Sequence, residues 1–180
     1  DKMDLAVFLA VLPEDVPLLW TGFGSNLLVR DGGIRGAVVC THQGLSSINT
    51  TTTGEVHAGA GAACAKVARY SARAGLSGSE FMAGIPGTVG GALAMNAGAY
   101  GGETWDIVNQ VEVLGRDGRL KIRTRAEFRT GYRNVSLGEN EWFTGAVFQL
   151  SPGDPVTGKE MIRTVLTDRS QSQPIGNASA

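Results

Sequence analysis

Glycine clustering constrains this chain more than any other feature of its sequence. Twenty-six of its 180 residues are glycine, about twice the usual share. They follow no short period, which excludes a collagen-like repeat. They gather in Gly22-Phe23-Gly24-Ser25-Asn26, in Gly59-Ala60-Gly61-Ala62-Ala63-Cys64, and in Gly84-Ile85-Pro86-Gly87-Thr88-Val89-Gly90-Gly91. The last cluster runs on to Asn96-Ala97-Gly98-Ala99-Tyr100-Gly101-Gly102. A backbone without Cβ atoms turns tightly and brings main-chain amides close to a ligand.

The rest of the composition fits an ordinary globular protein, with 42% hydrophobic and 18% charged residues. A formal net charge of -1 offers no basic field for nucleic acid or an acidic membrane surface. No stretch is long and apolar enough to span a bilayer, and the start does not read as a secretory signal. A cytoplasmic location is therefore expected. Cys40 and Cys64 are expected to be buried free thiols, and neither they nor His42 and His57 show metal-ligand spacing. The Asn-x-Ser/Thr matches at Asn49, Asn134 and Asn177 are expected to be coincidental in such a compartment.

Periodicity and capping residues predict a helix over 4–12 and buried strands over 17–20, 37–40 and 55–58. A helix over 62–74 should stop at Gly75. The segment 81–102 reads as mostly irregular. Asp117-Gly118 predicts a hairpin between strands 108–114 and 119–124. Thr124 and Glu127 predict a capping box for one turn, followed by a strand over 142–150. Thr157 and Glu160 predict a second box opening a helix to about Arg169, ended by Pro174 and Gly176. Both termini read as cut from a longer protein.

Each glycine cluster can be weighed for what it could hold. The 59–64 cluster sits between a strand and a helix, as a dinucleotide fingerprint does, with Glu80 near the acidic position. Its third glycine is replaced by Cys64 and the next strand is missing, so it reads better as a tight strand-to-helix turn. The 84–91 cluster lacks the Lys-Ser/Thr pair of a phosphate loop. Its glycines instead imply a backbone pressed against something flat or charged. The 22–26 cluster can form a nest of amides for an anion, aided by Ser25 and Asn26.

Taken together, GFGSNLL (22–28), GLSGSE (75–80), AGIPGTVGG (83–91), MNAGAYGGE (95–103) and Gly131-Tyr132-Arg133 resemble the UDP-N-acetylenolpyruvoylglucosamine reductases of peptidoglycan synthesis. Order and spacing agree from about Leu5 to the C-terminal end. The resemblance implies an α+β flavin fold of the vanillyl-alcohol-oxidase/PCMH type, with FAD between two α/β subdomains. Residues 1–40 would be the remainder of the first subdomain and 41–180 the second, with the C-terminal substrate domain absent.

The resemblance also implies roles. Gly22, Gly24, Ser25, Asn26 and Leu27 would meet the FAD diphosphate. Gly84, Ile85, Pro86, Gly87, Thr88 and Gly91 would line the diphosphate and ribityl side. Asn96, Gly98, Ala99 and Tyr100 would lie near the isoalloxazine or along the groove. Pro86 donates nothing, so Gly87 and Thr88 are the better donor candidates. Tyr132 and Arg133 match the substrate-binding pair, with Arg133 as the catalytic arginine. The implied reaction is NADPH-dependent, FAD-mediated reduction of a UDP-linked enolpyruvyl sugar, with no metal. An arginine against the substrate carboxylate would stabilise charge that builds up there.

The family's proton-donating serine or cysteine motif and its late glutamate find no match here, and Ser179 does not fit. This chain alone is therefore expected not to turn over substrate, and to hold FAD weakly or not at all. Two rival readings are a flavin oxidase of the same fold, which would want a His or Cys tether, and a non-catalytic fragment. The flavin reading requires the three glycine clusters, 22–26, 59–64 and 84–91 with its run to 102, to share a common cleft rather than scatter on different faces.

Overall fold

The structure, a computed structural model, describes residues 1–51 and 53–172. The predicted helix stop at Pro174 and Gly176, together with Asn177 and Ser179, lies outside the described residues. Apolar runs with turn residues between them build a five-stranded antiparallel sheet. Its strands are β3 (Ile48–Thr50), β4 (Val56–Gly59), β5 (Val108–Gly115), β6 (Leu120–Thr124) and β7 (Glu141–Phe148), in the order β3-β4-β7-β5-β6. Asp117-Gly118 makes the expected turn between β5 and β6: Gly118 takes φ +75, and the Asp117 carboxylate accepts from the Arg119 amide at 3.0 Å. Val111, Val113, Phe143, Ala146 and Phe148 form the sheet's buried face.

Helices α2 (Cys64–Arg73), α3 (Val89–Met95) and α4 (Pro155–Ser172) contribute to the same core. In α2 the buried residues Cys64, Val67, Ala68, Ser71 and Ala72 fall at helical spacing on one face. Gly75 ends it at φ +72, as the sequence predicts.

Helix α3 corrects the irregular reading of 81–102, as does the 3-10 turn Glu80–Gly84 before it. Adjacent glycines disfavour a helix by about 1 kcal/mol each. Here packing outweighs that preference, because Val89, Ala92 and Leu93 are almost completely buried. The start of α4 is a second correction. Asp154, not Thr157, caps it by accepting from the Thr157 amide at 2.8 Å, and Pro155 takes the first helical position. The Asp154 carboxyl is held below its usual range by that amide. Cys64 is buried as expected, whereas Cys40 is exposed.

The N-terminal helix α1 (Lys2–Val11) and the parallel pair β1 (Leu18–Thr21) and β2 (Ala37–Cys40) stand beside this sheet. Ala6 and Leu9 of α1 pack on Leu114. Trp20 of β1 stacks on Trp142 of β7, ring centroids 5.1 Å apart. Such a pair contributes about 0.5–1.5 kcal/mol beyond its area. Among the described residues no helix is long and apolar enough to cross a membrane.

Glu112 on β5 fastens α1 electrostatically. Its carboxylate meets His57 Nε2 at 3.3 Å and Lys2 Nζ at 2.6 Å. The hydrogen bond from His57 and the Lys2 ammonium outweigh partial burial and hold its pKa at about 2. A depressed carboxylate stabilises the fold above its unfolded pKa, and the effect fades as pH falls toward the folded value. With solvent screening, about 1–2 kcal/mol is expected at neutral pH. Glu112→Gln should therefore lower the urea midpoint at pH 7, and the gap to the parent should shrink steadily from pH 4.5 toward 2. A gap independent of pH would refute the coupling.

Candidate functional site

The site starts from main-chain amides. In the loop after β1, Gly24 takes φ +70, and the amides of Gly22 through Asn26 donate to no acceptor among the described residues. The turn is closed by Leu27 N–H, which donates to the Gly24 carbonyl at 3.1 Å. The 59–63 loop behaves differently. Gly59 donates to the Ser47 carbonyl, Ala60 to Thr144, Gly61 to Leu45 and Ala62 to Gly59, all within 2.7–2.9 Å. Those amides are engaged in the fold, which supports the sequence reading of a plain strand-to-helix turn over a dinucleotide fingerprint. Cys64, at its end, is buried, and burial pushes its thiol up to about 12, so it is no nucleophile.

The 84–91 segment joins these two loops. Cys64 N–H donates to the Gly87 carbonyl at 3.0 Å and Val89 N–H to the Ala62 carbonyl at 2.9 Å, bracketing Thr88 opposite Ala63. Thr88 in turn lies against the Cα of Gly22, where a Cβ would overlap the Thr88 hydroxyl. Only glycine permits that approach. Thr88 is 1% exposed, and its Oγ1 has no hydrogen-bond partner. The amides of Thr88 and Gly91 make no hydrogen bond among the described residues either. Gly87 departs from expectation, because its N–H closes on the Ile85 carbonyl at 2.9 Å. Ser25 Oγ comes within 3.9 Å of where a Cβ on Gly87 would stand.

The third cluster forms a hairpin, Gly98–Ala99 paired with Gly102–Glu103. Its central residues Tyr100 and Gly101 take φ 51 and 82, the double positive pattern of a type I′ turn. This turn sets the Tyr100 ring and Ala99 against Gly84. Asn96 caps the end of α3 in the left-handed region at φ 41. It is buried, and its side chain is engaged: Nδ2 donates to Glu103 Oε2 at 2.7 Å and to the Gly131 carbonyl at 3.4 Å, while Oδ1 accepts from Trp105 N–H at 3.2 Å. Asn96 therefore keeps no amide proton for a ligand.

A second small hairpin pairs Thr130–Gly131 with Asn134–Val135 and carries Tyr132 and Arg133 at its tip. Tyr132 is 85% exposed, and Arg133 takes φ 52. A non-glycine residue there is unfavourable, and such residues gather at functional sites. The sequence contains no turn signal for this hairpin. Nor does it mark Arg125, which bonds the hairpin at Thr130 and the more distant Trp105 carbonyl.

The loops of the resemblance thus meet in series, 22–26 on 84–91 and 84–91 on 96–102, with the Tyr132–Arg133 hairpin tied on through Asn96. The surface is open: Phe23, Leu27, Leu28 and Tyr100 are exposed along it. Two cavities, of ≈ 300 and ≈ 430 Å³, lie elsewhere, around Asp1 and the Thr41–Ser47 segment. Among the described residues no cluster of three or more His, Cys, Asp or Glu side chains could hold a metal ion.

With this geometry in place, the chain can be set beside known proteins. Residues 3–123 match a family model described as an FAD binding domain. A UDP-N-acetylenolpyruvoylglucosamine reductase from Alkalilimnicola ehrlichii is 53% identical over 98% of this chain and 59% of the relative. One from Methylococcus capsulatus is 52% identical over 97% of this chain and 57% of the relative. The chain therefore spans somewhat under three-fifths of these relatives' length. The crystal structure of a UDP-N-acetylenolpyruvylglucosamine reductase from Thermus caldophilus superposes with a TM-score of 0.81 at 30% identity, covering 97% of this chain and 61% of that one.

The close approach of Gly22 to Thr88 is testable without any ligand. Gly22→Ala should lower stability by about 1–3 kcal/mol through overpacking. Thr88→Ala in the same chain should recover most of the loss. Additive losses in thermal melts would show that the two loops do not press on each other.

Proposed function

This chain belongs to the FAD binding domain family, and from that membership we propose that it is the flavin-holding part of a UDP-N-acetylenolpyruvoylglucosamine reductase. One observation carries the reading. The amides of Gly22–Asn26 have no acceptor among the described residues, and the buried Thr88 hydroxyl has no partner, on either side of a contact that only glycine allows. A buried hydroxyl without a partner is unfavourable by about 1–3 kcal/mol. A diphosphate, rich in acceptor oxygens and negative charge, would satisfy both the hydroxyl and the amides.

FAD is the cofactor. We assign its diphosphate to Gly22, Gly24, Ser25, Asn26 and Thr88, and the groove wall to Leu27, Gly84, Ile85, Pro86, Gly91, Gly98, Ala99 and Tyr100. Gly87 and Asn96 shape this wall through their internal bonds. When bound, FAD supplies a hydride acceptor and donor between NADPH and the substrate. Residues 1–40, with the separate β1–β2 pair, are assigned to the remainder of one flavin subdomain, and 41–180 to the second. The reaction, reduction of the enolpyruvyl group of a UDP-sugar at the expense of NADPH, places the protein in peptidoglycan precursor synthesis in the cytoplasm.

Arg133 and Tyr132 are assigned to the substrate. Both are exposed at a hairpin tip, so neither is held in the core. The guanidinium presents a planar fork that fits a carboxylate with two hydrogen bonds. Reduction of an enol ether conjugated to a carboxylate loads negative charge onto that carboxylate. A fixed cation there stabilises the transition state more than the ground state.

Two measurements test the assignment. Thr88→Val removes the hydroxyl at constant shape, so the melting temperature without FAD should hold or rise while FAD affinity, read by quenching of flavin fluorescence, falls about tenfold. Unchanged affinity would remove Thr88 from the site. In a protein of the relatives' full length that carries this chain, Arg133→Lys should lower kcat by about 10²–10³ with FAD content unchanged. Near-normal turnover would overturn the role of Arg133.

A further inference from the structure

We propose that Asn96 and Arg125 are positioning residues that hold the Tyr132–Arg133 hairpin against a common post, Trp105. The hairpin is short. It pairs Thr130 with Val135 and Gly131 with Asn134, with two further bonds between Arg129 and Ser136 at its base, and its tip keeps Arg133 at φ 52, which a side-chain-bearing residue disfavours. Two side chains grip its first strand from outside. Arg125 Nη2 donates to Thr130 Oγ1 at 3.0 Å, and Asn96 Nδ2 reaches the Gly131 carbonyl at 3.4 Å.

Both grips are fastened to one residue. Trp105 N–H donates to Asn96 Oδ1 at 3.2 Å, and Arg125 Nε donates to the Trp105 carbonyl at 3.1 Å. Trp105 itself is 2% exposed, and its indole N–H donates to the Leu93 carbonyl of α3 at 2.8 Å. Arg125 adds a bond to the Phe128 carbonyl at 3.2 Å and lies 5.4 Å from the Trp105 ring centroid. Asn96 adds its bond to Glu103.

The residue choices follow from this arrangement. The end of α3 needs a left-handed residue, and glycine would serve the backbone equally well. An asparagine side chain with three partners is explained by what it connects. At position 125 three carbonyl or hydroxyl acceptors lie in different directions, which a guanidinium reaches and an ammonium does not. Helix α3 then joins the two halves of the site, with Thr88 at its N-terminal cap and Asn96 at its C-terminal cap. The catalytic meaning of this placement rests on the assignment of Arg133 given above; the placement itself does not.

The experiment has two arms. Amide hydrogen exchange is measured on this chain and on its Asn96→Gly and Arg125→Lys variants. Exchange across residues 129–136 should speed up at least tenfold, with 108–115 and 141–148 unchanged. No acceleration in the hairpin, or equal acceleration in the sheet, would overturn the proposal. If Asn96→Gly does not fold, Arg125→Lys decides this arm alone. In the full-length enzyme, both variants should lower kcat/KM ten- to a hundredfold, and Arg125→Lys should do so with FAD content and the rate of flavin reduction by NADPH unchanged. In an Arg133→Ala background the same substitutions should cost less than twofold, whereas full additive losses would overturn positioning. If Arg133→Ala turns over normally, the enzymatic reading falls, and the exchange arm still decides whether these residues hold the hairpin.

Discussion

Contact between a glycine backbone and one buried threonine side chain governs this structure. Gly22 lies directly on Thr88, and Thr88 is bracketed in turn by Ala62, Ala63 and Cys64. The loop after β1 and the loop before α3 touch in this way, the amides of 22–26 donate to no acceptor among the described residues, and the buried Thr88 hydroxyl has no partner. A buried hydroxyl left alone and a row of unengaged amides are unfavourable in isolation.

Around this contact the 59–63 loop plays the opposite part. The amides of Gly59, Ala60 and Gly61 are tied to Ser47, Thr144 and Leu45, which fixes the loop in the fold. Glycine there serves close packing, with Gly61 on the Thr41 carbonyl and Gly59 on that of Leu45. Two loops that share a Gly-x-Gly pattern thus have different chemistry, and the difference lies in whether their N–H groups find acceptors in the fold.

Helix α3 carries this arrangement toward the Tyr132–Arg133 hairpin. Its seven residues span about 10 Å at the usual rise. Three non-glycine residues with positive φ, Asn96, Tyr100 and Arg133, gather beyond its C-terminal end. Each is held by a specific neighbour: Asn96 by Trp105 and Glu103, Tyr100 by packing on Gly84, and the Arg133 turn by the bonds to Thr130 and Gly131. Strained backbone persists where the surroundings determine it more than once.

Much of this could be read from the chain itself. Strands 37–40 and 108–115, the Asp117-Gly118 turn, helix α2 with its Gly75 stop and the Thr124–Glu127 capping box all depend on neighbours in sequence. Local propensity and periodicity suffice for such features. The glycine runs likewise announced loops that approach something closely. What the sequence could not convey is which amides stay unengaged, that α3 forms across Gly90-Gly91, that Asp154 takes the cap from Thr157, and that Asn96 turns its amide inward to Glu103 and Gly131. Each of those depends on partners brought together from distant parts of the chain, whose burial free energy overrides local preference. Composition and spacing therefore determined that backbones approach closely here, and only the packed structure decided which of the polar groups stay unpaired, because their partners come from distant parts of the chain.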